Sequence, residues 1–355
     1  MRVVFVTEQT AFQTPTEGRE RLRRVATNLA DVGHDVTVYC TRFWDSDDEF
    51  FVHEGVTYRA VTVDPAHSSF LTRVPGLLAL DRPDVVHATP EPPAQVAAAR
   101  TGATLARAPL VVEWFGDENL PDSRLTRRAA SSPEMVVTPS ELVRTVVREL
   151  GASEATTTVI PESIDVSLVE STDAAEGADA ADVVYARELD GDANLDSLFL
   201  ALAELRDRDW AATVVGDGPE RATYERQASD LRIDDRVTFA GDIDREERVA
   251  LYKSAHTFVQ TAYRENFATE LLWALACGCV GIVEYQAESS AHELIETYER
   301  SFRVTDDEGV AEAIAEAGQY DRREMDESLA EYDHEAILDQ YLDVYRDLQD
   351  EAGLL

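Results

Sequence analysis

The chain has 355 residues, of which 44% are hydrophobic and 29% charged, and its 70 acidic residues against 32 basic ones give a formal net charge of −38. The length suits two domains, and the apolar fraction can build a core in each. The charge excludes the basic stripe that nucleic acid or an anionic lipid surface needs. Only Lys253 is lysine; the other 31 basic residues are arginine. The carboxylates are spread among periodic apolar segments, so they read as a solvated acidic surface of the kind carried in a very salty cytoplasm, not as a disordered tract. No apolar run reaches the length of a membrane span, and Met1–Thr10 begins like a strand and not like a signal peptide. A soluble, cytoplasmic protein is expected. Cys277 and Cys279 lack a second ligand pair and Cys40 stands alone, so no metal site is expected.

Val3–Thr7 is a β-branched and aromatic run, as a buried parallel strand requires. Arg19–Val32 places Leu22, Val25, Ala26 and Leu29 at helical spacing, and Gly33 stops it. Strands follow at His34–Tyr39, Asp84–His87, Leu110–Glu113 and Met135–Thr138. A helix over Ser140–Leu150 is opened by the serine and closed by Gly151. Glu170–Asp182 is small, acidic and aperiodic, and reads as an exposed loop. The alternation then restarts, with strands at Val183–Ala186, Ala211–Val215, Val237–Ala240 and Thr257–Gln260. Between and after these strands fall helices at Leu195–Arg206, Glu220–Leu231, Arg245–Ser254 and Thr269–Ala276. The tail, Glu335–Leu355, is an amphipathic helix with Ile337, Leu338, Tyr341, Leu342, Tyr345 and Leu348 on one face. Such alternation gives parallel sheets covered on both faces, and ligands in such sheets sit at the strand C-termini.

Gly216-Asp217-Gly218 follows a strand and opens a helix. A dinucleotide fingerprint would need a third glycine at position 221, which is Arg221, so a nicotinamide site is disfavoured. A tight strand-to-helix turn is the plainer reading of these glycines. His87 ends a strand and reads as a buried histidine before a catalytic one. Trp44 and Trp114 read as core before acceptor-stacking surfaces.

The succession Gly216–Arg221, Arg236–Gly241, Thr257–Phe267 and Ala276-Cys277-Gly278 resembles the donor-binding half of glycosyltransferase family 4. The first half is similar to the same family through Gly33–Val38, Arg82–His87 and Ile160–Asp165. The resemblance implies an α/β fold of the GT-B type, two doubly wound Rossmann-like domains facing across a cleft. It places residues 1–163 with the returning helix 335–355 on the acceptor side, and residues 164–334 on the nucleotide-sugar side. It implies retaining transfer of a sugar from a nucleotide-diphosphate sugar to a glycan or lipid-linked acceptor, with no further cofactor, and association with other glycosylation enzymes. By the same resemblance Glu265 contacts the transferred sugar and Arg187 holds the diphosphate. Gly216, Gly218, the amides of Phe267, Ala268 and Thr269, and the side chains of Glu270 and Trp273 then belong to the donor site.

The chain departs from the family's pattern at four places. Trp273 stands where a second glutamate accepts ribose hydroxyls, and an indole donates but cannot accept. Ala193 stands in place of a phosphate-binding lysine, for which Arg187 and Arg264 are the candidate substitutes. Phe115 stands in place of a histidine, and the glycine-rich loop after the first strand is reduced to Glu17-Gly18-Arg19. Two readings stay open: an enzyme with an altered site, or a catalytically impaired homologue that partners an active transferase.

Overall fold

The computed structural model describes residues 1–63, 66–177 and 181–353. It divides into two compact units, residues 1–162 with 335–355, and residues 163–334. Among the described residues no helix is long and apolar enough to cross a membrane.

In chain order the first unit contains β1 (Arg2–Val6), α1 (Glu17–Asp31), β2 (Asp35–Thr41), β3 (Phe50–His53), β4 (Val56–Thr62), α2 (His67–Asp81) and β5 (Val85–Ala88). These are followed by α3 (Pro93–Ala106), β6 (Leu110–Glu113), α4 (Arg124–Ser131), β7 (Met135–Thr138), α5 (Glu141–Glu149) and β8 (Thr157–Val159). The eight strands form one sheet in the order β3-β4-β2-β1-β5-β6-β7-β8. Strand alternation sends Val3 and Phe5 to one core and Val4 and Val6 to the other. Thr16 and Ser140 cap α1 and α5 with their hydroxyls, accepting from Arg19 and Val143 amides.

The uniformly parallel sheet expected from the alternation needs correction at one edge. β3 and β4 are an antiparallel hairpin, turned at Glu54 (φ +48°) and Gly55 (φ +73°). Local signals for it are weak: the turn is Glu-Gly in place of the usual Asn-Gly, and an acidic run precedes the short strand.

The second unit contains α6 (Val166–Ser171), β9 (Val183–Ala186), α7 (Leu195–Glu204), β10 (Ala212–Val215), α8 (Arg221–Asp230), β11 (Val237–Gly241), α9 (Arg245–Ser254) and β12 (Thr257–Gln260). It continues with β13 (Arg264–Glu265), α10 (Thr269–Ala276), β14 (Val280–Glu284), β15 (Glu288–Ser289), α11 (Ala291–Ile295), β16 (Ser301–Val304) and α12 (Asp307–Ala317). Six parallel strands run β11-β10-β9-β12-β14-β16, and β13 pairs with β15 in a separate two-stranded parallel ladder. The loop expected over Glu170–Asp182 starts later, because Glu170 and Ser171 close α6. Thr172 and Ala181 are buried, and residues 178–180 lie outside the described residues. The sole lysine is nearly buried here, with Lys253 Nζ donating to the Thr172 carbonyl at 2.6 Å.

The last helix, α13 (His334–Gly353), lays Ile337, Leu338, Tyr341, Leu342, Tyr345 and Leu348 into the core of the first unit beside Val3 and Phe5. A buried polar chain fastens it there. Tyr341 donates to Glu113 Oε2 at 2.8 Å, Arg21 Nε donates to Glu113 Oε1 at 2.9 Å, and His87 Nδ1 lies 2.6 Å from the Tyr345 hydroxyl. His87 is fully buried and stacked on Phe5, so it is the structural histidine that the sequence favoured. Trp114 is core as well, while Trp44 joins a cluster with Phe43 and Phe51.

Candidate functional site

The site in the second unit grows from strand ends. β9 stops at Ala186, so Arg187 emerges at the C-terminal edge of the parallel sheet. Its Nη1 donates to the carbonyls of Asp192 (3.3 Å) and Arg264 (3.2 Å) and lies 3.8 Å from Glu265 Oε2. Its Nη2 is 3.4 Å from Asp190 Oδ1. Arg187 and Glu265 are therefore brought together, although 77 positions separate the guanidinium from the Arg264 carbonyl that holds it.

Glycine at 216 and 218 lets the Arg187 loop lie directly on the next turn. A Cβ on Gly216 (φ +117°) would sit 2.0 Å from the Arg187 carbonyl oxygen, and one on Gly218 would sit 2.4 Å from that of Leu189. Backbone bonds from the Leu189 amide to Asp217 and from the Glu220 amide to Leu189, each 2.9 Å, lock the two loops. These glycines shape the seat of Arg187. Asn194, left-handed at φ +49°, opens α7 and donates to the Thr261 carbonyl at 2.9 Å, while Thr261 Oγ1 donates to the Asn194 carbonyl at 2.7 Å. The pair joins the Arg187 loop to the segment that carries Glu265.

Glu265 lies in the short β13, and its carbonyl accepts from the Ser290 amide at 2.8 Å. Its carboxyl is pushed up to about 7: burial is the main cause, Arg187 opposes it, and Asp190 and Glu270 add to it. The chain then turns through buried Phe267 and Ala268, with the Thr269 amide donating to the Phe267 carbonyl at 2.9 Å. α10 begins there without a side-chain cap, so backbone N–H groups and the positive helix end mark the start of this helix.

Glu270 and Trp273 take different roles from those expected of donor contacts. Both Glu270 oxygens are held: Arg245 grips them in a fork (2.9 and 3.0 Å), Arg248 adds a bond at 2.7 Å, and the Tyr252 hydroxyl donates at 2.5 Å. Burial alone would raise the Glu270 carboxyl, but Arg245, Arg248 and Tyr252 more than offset it and hold it below the usual range. Trp273 is 5% exposed, and the Arg245 guanidinium covers its ring at 4.8 Å. The indole thus packs as core under an arginine, which leaves that face no place for a base. Ala193 is fully buried with its carbonyl on the Tyr185 hydroxyl, so a lysine could not simply be added at this backbone position. Arg264 offers its carbonyl to Arg187 and sends its guanidinium to Glu288, so it does not replace the lysine.

In the first unit, Glu17-Gly18-Arg19, expected as a reduced loop, is the first turn of α1, and it meets the chain's own carboxylates. Asp117 accepts the Gly18 amide at 3.0 Å, and Glu118 accepts those of Phe115 and Gly116 at 2.8 Å each. Burial, with Asp117 beside it, pushes the Glu118 carboxyl up to about 8 against the pull of those amides. Phe115 is buried, and a Cβ on Gly18 would come within 2.8 Å of it.

Residues 170–335 match the model of the family described as Glycosyl transferases group 1, and residues 17–162 match the Glycosyl transferase 4-like domain. Together the two matches span most of the chain and mark it as a family 4-like glycosyltransferase. Its fold is the GT-B type, with two Rossmann-like domains. Among solved structures, the family member is similar to Anabaena HepE in complex with UDP (TM-score 0.76, 17% identity, 98% of this chain and 100% of that one). It is also similar to a glycosyltransferase from Rickettsia africae (TM-score 0.77, 14% identity, 98% of each chain). Sucrose-phosphate synthase from Thermosynechococcus elongatus is a third such structure (TM-score 0.73, 18% identity, 98% of this chain and 99% of that one). A curated relative, 2-deoxystreptamine glucosyltransferase of Streptomyces kanamyceticus, is 26% identical over 167 residues, which is 43% of this chain and 42% of that protein. The match spans less than half the length of that relative.

Sequence reasoning on this transferase missed Asn194, Gln260 and Asp190. The only local signal was that polar residues stand at strand and helix ends. Gly216 gives a direct check of the loop seat. Gly216→Ala must push the Arg187 carbonyl aside in a backbone region that alanine disfavours, and is expected to cost about 2 kcal/mol or more in the second unit. Urea unfolding would measure this, and an unchanged midpoint would show that the two loops are not interlocked.

Proposed function

We propose that this chain transfers a glycosyl group, with retention, from a nucleotide-diphosphate sugar to a hydroxyl of a glycan or lipid-linked acceptor. The observation that carries the reading is the grouping of Arg187 and Glu265 next to the uncapped start of α10. In this reading Arg187 and the first-turn amides of α10 that follow Thr269 hold the diphosphate and stabilise the charge it gains on leaving. Glu265 orients the hydroxyls of the sugar. The C1–phosphate oxygen bond breaks, the acceptor oxygen bonds C1 on the same face, and the departing phosphate takes the acceptor proton. The first unit would take the acceptor. Positive charge at the diphosphate comes from Arg187 and the helix start, so the reading calls for no metal or other cofactor. Similarity to a structure that holds UDP supports the choice of donor class.

Calorimetric titration of UDP-, GDP- and ADP-sugars in molar KCl tests donor binding, and the anomeric configuration of the product tests retention. Wild type is expected to bind one of the three. Arg187→Ala should weaken that binding by roughly 10–100-fold, the worth of one charge-assisted contact. Absence of heat with every donor would defeat the proposal. A second reading, a donor-binding homologue without turnover, is favoured by the locked Glu270 and the covered Trp273. Binding without product for a broad set of acceptors would select it.

A further inference from the structure

Gln260 closes β12 and is 3% exposed. Its side-chain oxygen accepts the Ala262 amide at 3.3 Å. A backbone N–H can only donate, so the carboxamide cannot be flipped, and its NH2 must face the opposite neighbour. That neighbour is Glu265, whose Oε2 lies 3.3 Å from Gln260 Nε2. An NH2 group donates and cannot accept, so it favours the ionised carboxylate over the neutral acid.

The other groups around Glu265 pull in both directions. Arg187, from the loop after β9, favours the carboxylate. Tyr185 at the end of β9, Asp190 in the same loop and Glu270 in α10 bring no positive charge, and the two acids oppose ionisation along with burial. Arg187 and Gln260 thus both hold the carboxylate, one by charge and one by a fixed donor.

We propose that Gln260 is a positioning residue that keeps the Glu265 carboxylate ionised and aimed beside Arg187. This rests on the reading of Glu265 as the group that contacts the donor sugar. Gln260→Met keeps the length of the side chain and removes the donor. Gln260→Glu keeps an acceptor for Ala262 and sets a second carboxyl against Glu265.

The test reads Glu265 without substrate. The difference in unfolding free energy between Glu265 and Glu265→Gln is followed from pH 5 to 9, in wild-type and Gln260→Met backgrounds. The midpoint of that difference is expected to rise by about half to one pH unit in Gln260→Met, and further in Gln260→Glu. The acidic limb of kcat/KM should move in the same direction. A midpoint that stays in place in both variants overturns the role of Gln260 by itself. A midpoint that moves while the kcat/KM profile stays overturns the proposal through the role of Glu265.

Discussion

Glu265→Gln is expected to unfold at a higher temperature than wild type at pH 8 and to transfer sugar roughly 10²–10³-fold more slowly. The two effects share one cause. Burial pushes the Glu265 carboxyl up to about 7 in the folded protein, against 4.5 for the free group. The folded state therefore binds the extra proton between these two values. Stability contributed by this group is complete below about 4.5 and is lost as the pH rises through about 7. Glutamine stays neutral and resembles the protonated acid, so its advantage appears above pH 5 and levels off near pH 8. A shift of this size corresponds to on the order of 3 kcal/mol, or several degrees in a domain this large. Thermal melts of both proteins at pH 5 and pH 8, with initial rates at saturating donor, measure the pair of effects. A variant that melts lower at pH 8 would show that the carboxylate carries no strain, and one that keeps wild-type turnover would show that it carries no catalysis.

Glu113→Leu should have the opposite character, a large loss of stability centred on the first unit. Glu113 is 2% exposed and joins Arg21, Tyr341 and His87. Burial alone would raise its carboxyl, but Arg21 and then His87 and Tyr341 bring it down to about 2. Removing it leaves the buried Arg21 with Glu162 at 3.4 Å, the Tyr341 hydroxyl and the carbonyls of Ile160 and Pro161 as its remaining partners. Breaking a buried pair in this way costs about 3–5 kcal/mol. With a folded value below the unfolded one, the stability from Glu113 is present above about 4.5 and is lost as the pH falls through about 2. Urea unfolding at pH 7 should show the full deficit. Limited proteolysis should also release α13, which Tyr341 fastens to the sheet. Equal midpoints for variant and wild type would mean that the polar chain adds nothing to packing.

Much of the second unit was legible from periodicity. α9, β12 and α10 begin and end at the expected residues, because Asp244 caps the first helix, β-branched and aromatic residues fill the strand, and apolar spacing marks the last. The β3–β4 hairpin was not legible, since its two-residue turn lacks the usual asparagine and its edge strand is short. The site divides in the same way. Arg187 and Glu265 stand at element ends, where motif order could pick them out. Nothing local announced that Arg245 would cover Trp273, or that Glu270 would be held by two arginines and a tyrosine.

The amino-acid order alone determined the two rounds of strand and helix, the family, and the two residues at the centre of the proposed donor site. It could do so because strand and helix periods, caps and motif order are properties of near neighbours in the chain. Only the tertiary structure decided which guanidinium meets which carboxylate, which indole is covered, and which way the Gln260 amide faces. Those outcomes depend on loops such as 187–194 and 261–268, whose close approach is set by packing between residues far apart in sequence.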